Sequence, residues 1–379
     1  MKKLFCLLLA TLILFTLVAC GKEAAIDTSA TEGDIAKLEA IYAGLHVHHG
    51  QLHDHSDSGR RSDGNATLAV WKEYMPYFGM DFAAILDHRQ TDHMYHEDWD
   101  PAVFISGTEA MTYVLNRTSP YKKYHYNMLF RNVTDMERIL REHEDIYGLQ
   151  NGTFRYRPMG SAEFTQIMQE VQASGGFFVI AHPGQTADAV SEDPLEYYYC
   201  DYVGYEVLYH LYADPATCGA QSMINYNIYT GLLAAGKKVY ATAGSDMHDY
   251  PVDRGLTTVY TADAMDTAYL DQISVGNFTA GPVGVRMVIG DTKMGSTCDF
   301  KGQRVVLSVG DFHTTYQSGS YVLKVFTDAG EVLSVDLAST DTTYFAFNAD
   351  EQASFYRVEI HDTTMDYTLL AMGNPIWND

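Results

Sequence analysis

The chain has 379 residues, 46% of them apolar, 20% charged and 13% aromatic, a globular mix long enough for two domains. That mix argues against disorder and against a repeat array. Formal charge is −24, from 25 Lys and Arg against 49 Asp and Glu, with no basic stripe, so the surface repels a phosphate backbone and double-stranded nucleic acid is set aside as a partner.

Lys2 and Lys3 precede an apolar run from Leu4 to Ala19, the charged start and apolar middle of a secretory signal. Leu17-Val18-Ala19-Cys20, followed by Gly21, resembles a bacterial lipobox, which implies cleavage before Cys20 and a lipid on its thiol. Residues 1–19 therefore read as a lipoprotein signal peptide and residues 20–43 as the lipidated Cys and a linker. The expected location is extracytoplasmic, held to the bacterial cell membrane through Cys20 alone. Of the remaining cysteines, Cys200 and Cys218 are spaced to pair across a short loop or to stay reduced, with Cys298 left over. No CxxC pair exists, so a thiolate zinc site is unsupported.

Apolar runs bounded by turn residues predict strands over Phe82–Leu86, Ala102–Ile105, Tyr124–Phe130, Phe177–Ile180, Val203–Leu208 and Lys238–Thr242. Helices are predicted over about Ser161–Ala173, where Phe164, Ile167, Met168 and Val171 recur at helical spacing, and over about Ala220–Ala235, ending at Gly236. Alternating strand and helix argues for a parallel sheet, closed into a barrel.

The strand tips carry ionisable residues. Leu86 is followed by Asp87-His88, Ile105 by Ser106-Gly107-Thr108-Glu109, Ile180 by Ala181-His182, and Thr242 by Ala243 and then Gly244-Ser245-Asp246-Met247-His248. Barrel enzymes keep their chemistry at this rim, and packing does not explain several strands delivering His, Glu and Asp to one place. Of the 15 histidines, 13 lie before residue 250. His53 and His55 form an HxH pair whose spacing points both rings to one side of a strand, and His46 and His48 upstream are a decoy at the same spacing. Adding Asp63, His88, Glu109, His125, His182, Asp246 and His248 gives nine candidate metal ligands. Mixed imidazole and carboxylate donors suit Zn, Mn or Fe better than Ca or Mg.

The order of HxH, Ser62-Asp63-Gly64, a strand ending in Asp-His, Gly-Thr-Glu, His125-Tyr126-Asn127, Ala-His-Pro, Tyr205-Glu206-Val207 and Gly-Ser-Asp-x-His resembles the PHP (polymerase and histidinol phosphatase) superfamily over about residues 44 to 282. The resemblance implies a distorted (β/α)7 barrel of PHP type over 44–284 with two or three divalent metal ions at its rim. It implies one ion held by His53, His55, Glu109 and Asp246, a second by bridging Glu109 with His125 and His182, and a third by Asp63, His88 and His248. Ser58-Gly59-Arg60-Arg61 lengthens the usual gap after HxH, which leaves Asp57 as a rival to Asp63.

Such a site predicts a hydrolase whose nucleophile is a hydroxide bridging two metals, with His53, His55, Glu109, Asp246 and His248 as the catalytic set. No GxSxG elbow or Cys-His pairing offers another nucleophile. The expected substrate is a small, anionic phosphoester, nucleotide-like compounds included; a carboxyl ester or carbamate is the second reading and a metal- or ligand-binding lipoprotein without turnover the third. Arg60, Arg61, Arg89 and Arg254 are candidate phosphate clamps, and Glu206 a partner that orients a ligand histidine. From about 285 to 379, alternating apolar and polar runs at Arg304–Val309, Tyr321–Phe326, Val332–Leu337, Tyr344–Phe347 and Phe355–Ile360 predict a small antiparallel β-sandwich-like domain that packs on the barrel.

Overall fold

The computed structural model describes residues 28–115, 122–155, 157–184, 193–209, 218–365 and 368–379. The signal peptide over 1–19, Cys20 and His210 lie outside the described residues. Within the stretch expected to be a linker, α1 (Glu32–Ile41) is folded. Thr31 and Asp34 cap each other reciprocally, at 3.0 and 3.1 Å, and so satisfy two of the free amides at the helix start. Leu38 and Tyr42 pack against Tyr260, Val288, Val306 and Ala346, while Glu39 binds Arg286 at 2.7 and 3.0 Å. Residues 32–41 of that stretch are thus a packed helix. Only Leu38 of α1 is fully buried, so no apolar stripe announces the helix in the sequence.

The first half contains β1 (His46–Asp54), α2 (Leu68–Tyr74), β2 (Phe82–Ile85), β3 (Phe104–Ile105), β4 (Gly107–Val114) and β5 (Lys122–Leu129). Then come α3 (Val133–Glu142), α4 (Glu144–Tyr147), a hairpin of β6 (Leu149–Gln150) and β7 (Thr153–Phe154), α5 (Ser161–Ala173), β8 (Phe177–Ala181) and β9 (Gly204–Tyr209). After these follow α6 (Cys218–Ala234), β10 (Tyr240–Gly244), β11 (Leu256–Thr261), α7 (Asp266–Ile273) and β12 (Phe278–Ala280).

These strands do not close into the expected barrel. One open sheet runs β10-β9-β8-β5-β4, and another runs from β3 through β2, β1, β11 and β12 into the C-terminal region. The two sheets meet at two isolated bridges, Asp54 with Met247 and His88 with Glu109. Nor is the arrangement wholly parallel: β10, β9 and β8 are parallel neighbours, but β4-β5-β8 and β1-β11 are antiparallel. The seven residues between β4 and β5 are too few for a crossover helix, which leaves only an antiparallel return. A shared core fills the interior, with Phe164, Ile167, Met168 and Val171 of α5 against Tyr126 and Phe178.

The C-terminal half adds β13 (Gly284–Ile289), β14 (Thr292–Lys293), β15 (Thr297–Cys298), β16 (Arg304–Gly310), β17 (Tyr321–Thr327), β18 (Gly330–Leu337), β19 (Thr343–Asn348), β20 (Phe355–Asp362) and β21 (Thr368–Asn378). One antiparallel sheet runs β14-β13-β16-β19. Its inward residues Val285, Met287, Leu307 and Phe345 share a core with Leu323, Val325, Val358 and Ile360 of β17 and β20, as the alternation predicts. The second layer, β18-β17-β20-β21, pairs through β21 with β12, so it continues the metal-side sheet. Asn374 on β21 also accepts the Ala241 amide at 2.8 Å. Cys200 is a buried free thiol against Met168 and Cys298 is also free; the Cys218 side chain lies outside the described residues.

Candidate metal centre

Eight of the nine proposed ligands lie at or near the ends of β1, β2, β4, β8 and β10 or in the loop after β1, the ninth, His125, lies inside β5, and the fold brings all nine together. Glu109 is the hub. Its Oε1 lies 2.8 Å from His125 Nδ1 and 3.3 Å from His182 Nε2. Its Oε2 lies 2.8 Å from His88 Nδ1 and 3.4 Å from the Nε2 atoms of both His53 and His55. Asp246 Oδ1 faces the same pair, at 2.9 Å from His55 and 3.4 Å from His53. Asp63 Oδ2 completes the outer edge, 3.4 Å from His88 Nε2 and 3.5 Å from His248 Nε2.

Three overlapping groups therefore have donor atoms within 4.8 Å of one another: His53, His55, Glu109 and Asp246; His88, Glu109 and His125; and His55, Asp63, His88 and His248. A fourth comprises His53, His182 and Glu206. Asp63, and not its rival Asp57, joins the cluster. His46 is exposed and His48 sits 3.6 Å from Asp81, away from the nine. Arg60 pairs with Asp92 and Arg89 donates to Thr153 in the β6-β7 hairpin. His93 is buried behind the site against Asp87, and His143 bonds Glu170.

The backbone is arranged around this convergence. His182, Asp246 and Arg89 take positive φ values of 27°, 52° and 54° at three strand tips, a conformation that costs a non-glycine residue energy and that surrounding structure must enforce. Gly244 has no room for a side chain: a Cβ there would collide with Glu206 Oε1 and lie 2.8 Å from His53 Cβ. Trp71 of α2 donates to the His55 carbonyl at 3.2 Å, so the buried face of α2 props the HxH segment.

Beyond the nine, β9 braces the centre. Glu206 Oε1 lies 3.0 Å from His53 Nδ1, and its Oε2 accepts the His182 amide at 2.9 Å. That hydrogen bond fixes the ring orientation of His53 and turns Nε2 toward Glu109 and Asp246. Tyr209, which sequence reasoning missed, donates to Asp246 Oδ2 at 2.9 Å and packs its ring 5.1 Å from that of His182. No sequence signal marks it, because a tyrosine at a strand end reads as core.

Charge is concentrated here. Burial pushes His53 down, but the carboxylates of Glu206, Asp246 and Glu109 outweigh it and hold its pKa well above the ordinary value. Burial likewise opposes ionisation of Glu109 and Asp246, yet His88 and His53 pull Glu109 far down, and His53 with His55 do the same for Asp246. His248 is pushed up to about 9 despite burial, by its hydrogen bond to Asp63 and by Asp246. His53, His55 and Glu109 are sealed from solvent, whereas the side chains of His248 and Asp63 are 33% and 52% exposed, so the cluster opens on that side.

The donor set fits divalent cations. Among the described residues, His53 Nε2 and Glu109 Oε2, which face each other at 3.4 Å, are buried without a hydrogen-bond partner, an expensive state for polar atoms unless a cation takes their lone pairs.

No protein-family profile and no curated protein matches the sequence. Among solved structures, the chain is similar to an amidohydrolase from Chromobacterium violaceum with sulfate bound and no metal, at 15% identity and a TM-score of 0.35, over 54% of this chain and 89% of that one. It is also similar to a lesion-specific endonuclease, EndoQ from Pyrococcus furiosus, at 15% identity and a TM-score of 0.39, over 62% and 57% of the two chains. An endonuclease Q complex with a 27-mer duplex bearing an abasic lesion overlaps at 14% identity and a TM-score of 0.37, over 62% and 58%. The overlap spans less than two thirds of either endonuclease chain.

Proposed function

We propose that the chain is a multinuclear metal-dependent hydrolase of the PHP kind, acting on small phosphoesters outside the cytoplasm. One observation carries the reading: Glu109 offers its two oxygens to opposite sides of a single nest of five imidazoles, the arrangement of a carboxylate shared between cations. His53, His55, Glu109 and Asp246 would hold one ion, Glu109 with His125 and His182 a second, and Asp63, His88 and His248 a third. Bound Zn, Mn or Fe supplies Lewis acidity and lowers the pKa of coordinated water.

The chain's own residues do the rest. Glu206 sets which nitrogen of His53 faces the cluster. Tyr209 leaves Oδ1 of Asp246 as the oxygen that meets His53 and His55. The buried walls around Glu109 keep bulk water from the inner donors, and the half-open edge at Asp63 and His248 is the side from which a substrate enters. An anionic substrate fits a centre whose cations outweigh its carboxylates, in a protein that otherwise repels anions.

Metal content per chain after purification without chelator, with turnover of p-nitrophenyl phosphate, bis-p-nitrophenyl phosphate and naphthyl acetate, tests this. The expected result is two or three ions and hydrolysis of a phosphoester. Turnover of the acetate alone would give the carboxyl-ester reading, and one ion without turnover a metal-binding surface protein. His53→Ala is expected to lose metal and activity while keeping its far-ultraviolet dichroism. We propose in addition that Cys20 carries the membrane anchor; incorporation of labelled fatty acid, abolished in Cys20→Ala, is the expected result.

A further inference from the structure

Large apolar side chains left in water are scattered over most of the described surface, but three tyrosines gather beside the open edge of the metal centre. Tyr74, Tyr77 and Tyr250 are 40%, 79% and 56% exposed, and the Tyr74 ring lies 5.9 Å from Tyr77 and 6.1 Å from Tyr250. Their planes are tilted at 55° and 53°, so they form an open, faceted shelf and not a parallel slot.

The chain fixes this shelf to the mouth. Tyr250 is two residues past His248, which bounds the distance between their Cα atoms at about 7.6 Å. Asn65 is likewise two residues past Asp63, and its amide donates to the His248 carbonyl at 2.7 Å, tying the two half-exposed ligand loops together. The Asn65 side chain then donates to Asp249 Oδ1 at 2.6 Å on the outer surface. Tyr74 is one turn beyond Trp71, the residue that holds the His55 carbonyl.

We propose that Tyr74, Tyr77 and Tyr250, edged by Asn65 and Asp249, form a sugar-binding lip that receives the leaving-group ring of the substrate. The proposal rests on the hydrolase reading and names its substrate class, a sugar phosphate. A sugar ring presents an apolar C–H face that covers an exposed aromatic ring, with hydroxyls at its rim. Asp249 accepts from such hydroxyls and Asn65 both accepts and donates. A second anionic group at this position would meet the Asp249 carboxylate on a surface already strongly acidic, which disfavours nucleotides carrying further phosphates.

The test compares the wild-type protein with Tyr250→Ala, Tyr74→Ala and Tyr250→Phe on a panel of hexose and hexosamine phosphates, with glycerol phosphate as the ringless control, and with p-nitrophenyl phosphate and a nucleoside monophosphate as other rings. Binding by calorimetry is measured beside KM and kcat, together with metal content. The alanine variants are expected to weaken binding and raise KM for a sugar phosphate about tenfold. Metal content, and kcat/KM for glycerol phosphate, should stay within about twofold, and Tyr250→Phe should behave as wild type. Equal losses on the ringless ester, losses confined to the aryl or nucleoside ester, or no sugar phosphate binding at all would each overturn the lip. If no ester is turned over but a sugar phosphate still binds in a Tyr250-dependent way, the hydrolase reading fails and the lip stands.

Discussion

The phenol of Tyr209 donates a 2.9 Å hydrogen bond to Oδ2 of Asp246, while Oδ1 of the same carboxylate faces His55 at 2.9 Å. The strand that carries Tyr209 supplies none of the nine proposed ligands, yet it braces three of them, through Glu206 to His53 and His182 and through Tyr209 to Asp246. Positioning partners of this kind are worth roughly 10–100-fold in metal affinity.

Tyr209→Phe keeps the ring against His182 and removes only the donor. Metal affinity, read by titration against a competing chelator, is expected to fall about tenfold, with the thermal midpoint of the metal-free protein lowered by the loss of one part-buried hydrogen bond, about 1 kcal/mol. An unchanged affinity would show that Asp246 is held without it.

Glu206→Gln tests the other brace. The amide oxygen can still accept from His53 Nδ1, so that ring stays oriented, but the negative charge is lost and the amide NH2 meets the His182 N–H, donor against donor. We expect a smaller loss of metal affinity than in Glu206→Ala, where both His53 and the His182 amide lose their partner. Equal losses in the two variants would show that the His53 hydrogen bond adds nothing beyond the charge and the His182 contact.

Gly244→Ala inserts a methyl group between Glu206 and His53. Overpacking of a tight interior costs about 1–3 kcal/mol. Because the two residues pushed apart belong to the metal centre, metal stoichiometry is expected to drop as well, whereas Gly160→Ala, at a helix N-cap where a Cβ meets nothing, should leave metal stoichiometry unchanged.

Much of the site is legible in the sequence because its ligands stand at strand ends, where an apolar run stops at a charged residue: Leu86 before Asp87-His88, Ile180 before Ala181-His182. The helix over Ser161–Ala173 is legible from its undisturbed helical spacing, and the C-terminal strands from their short apolar runs. Strand direction is not. Nothing local in Gly107–Val114 states that it returns against Lys122–Leu129; the short connection decides it, and with it the open sheets replace a closed parallel barrel. Tyr209 and the helix at Glu32–Ile41 escape for a related reason: their roles come from partners far along the chain, Asp246 for the first and Arg286 and Arg304 for the second.

That helix yields a prediction about acid. The Arg286 guanidinium hydrogen-bonded to Glu39 holds its carboxyl below its ordinary value of 4.5, against the upward push of burial and with help from Tyr344. A carboxyl that titrates lower folded than unfolded contributes stability that is fully present above the unfolded value and is lost as pH falls through the folded one. The wild-type protein should therefore melt higher than Glu39→Gln at pH 7, and the two should converge as pH drops below the glutamate range. Leu38→Ala, which removes the buried anchor of the same helix at a cost of about 2–5 kcal/mol, should lower the midpoint at both pH values by a similar amount. Melting curves of the three proteins at pH 7 and pH 3 check this: a Glu39→Gln difference that persists undiminished in acid would mean that the Glu39–Arg286 pair does not hold the helix to the C-terminal sheet.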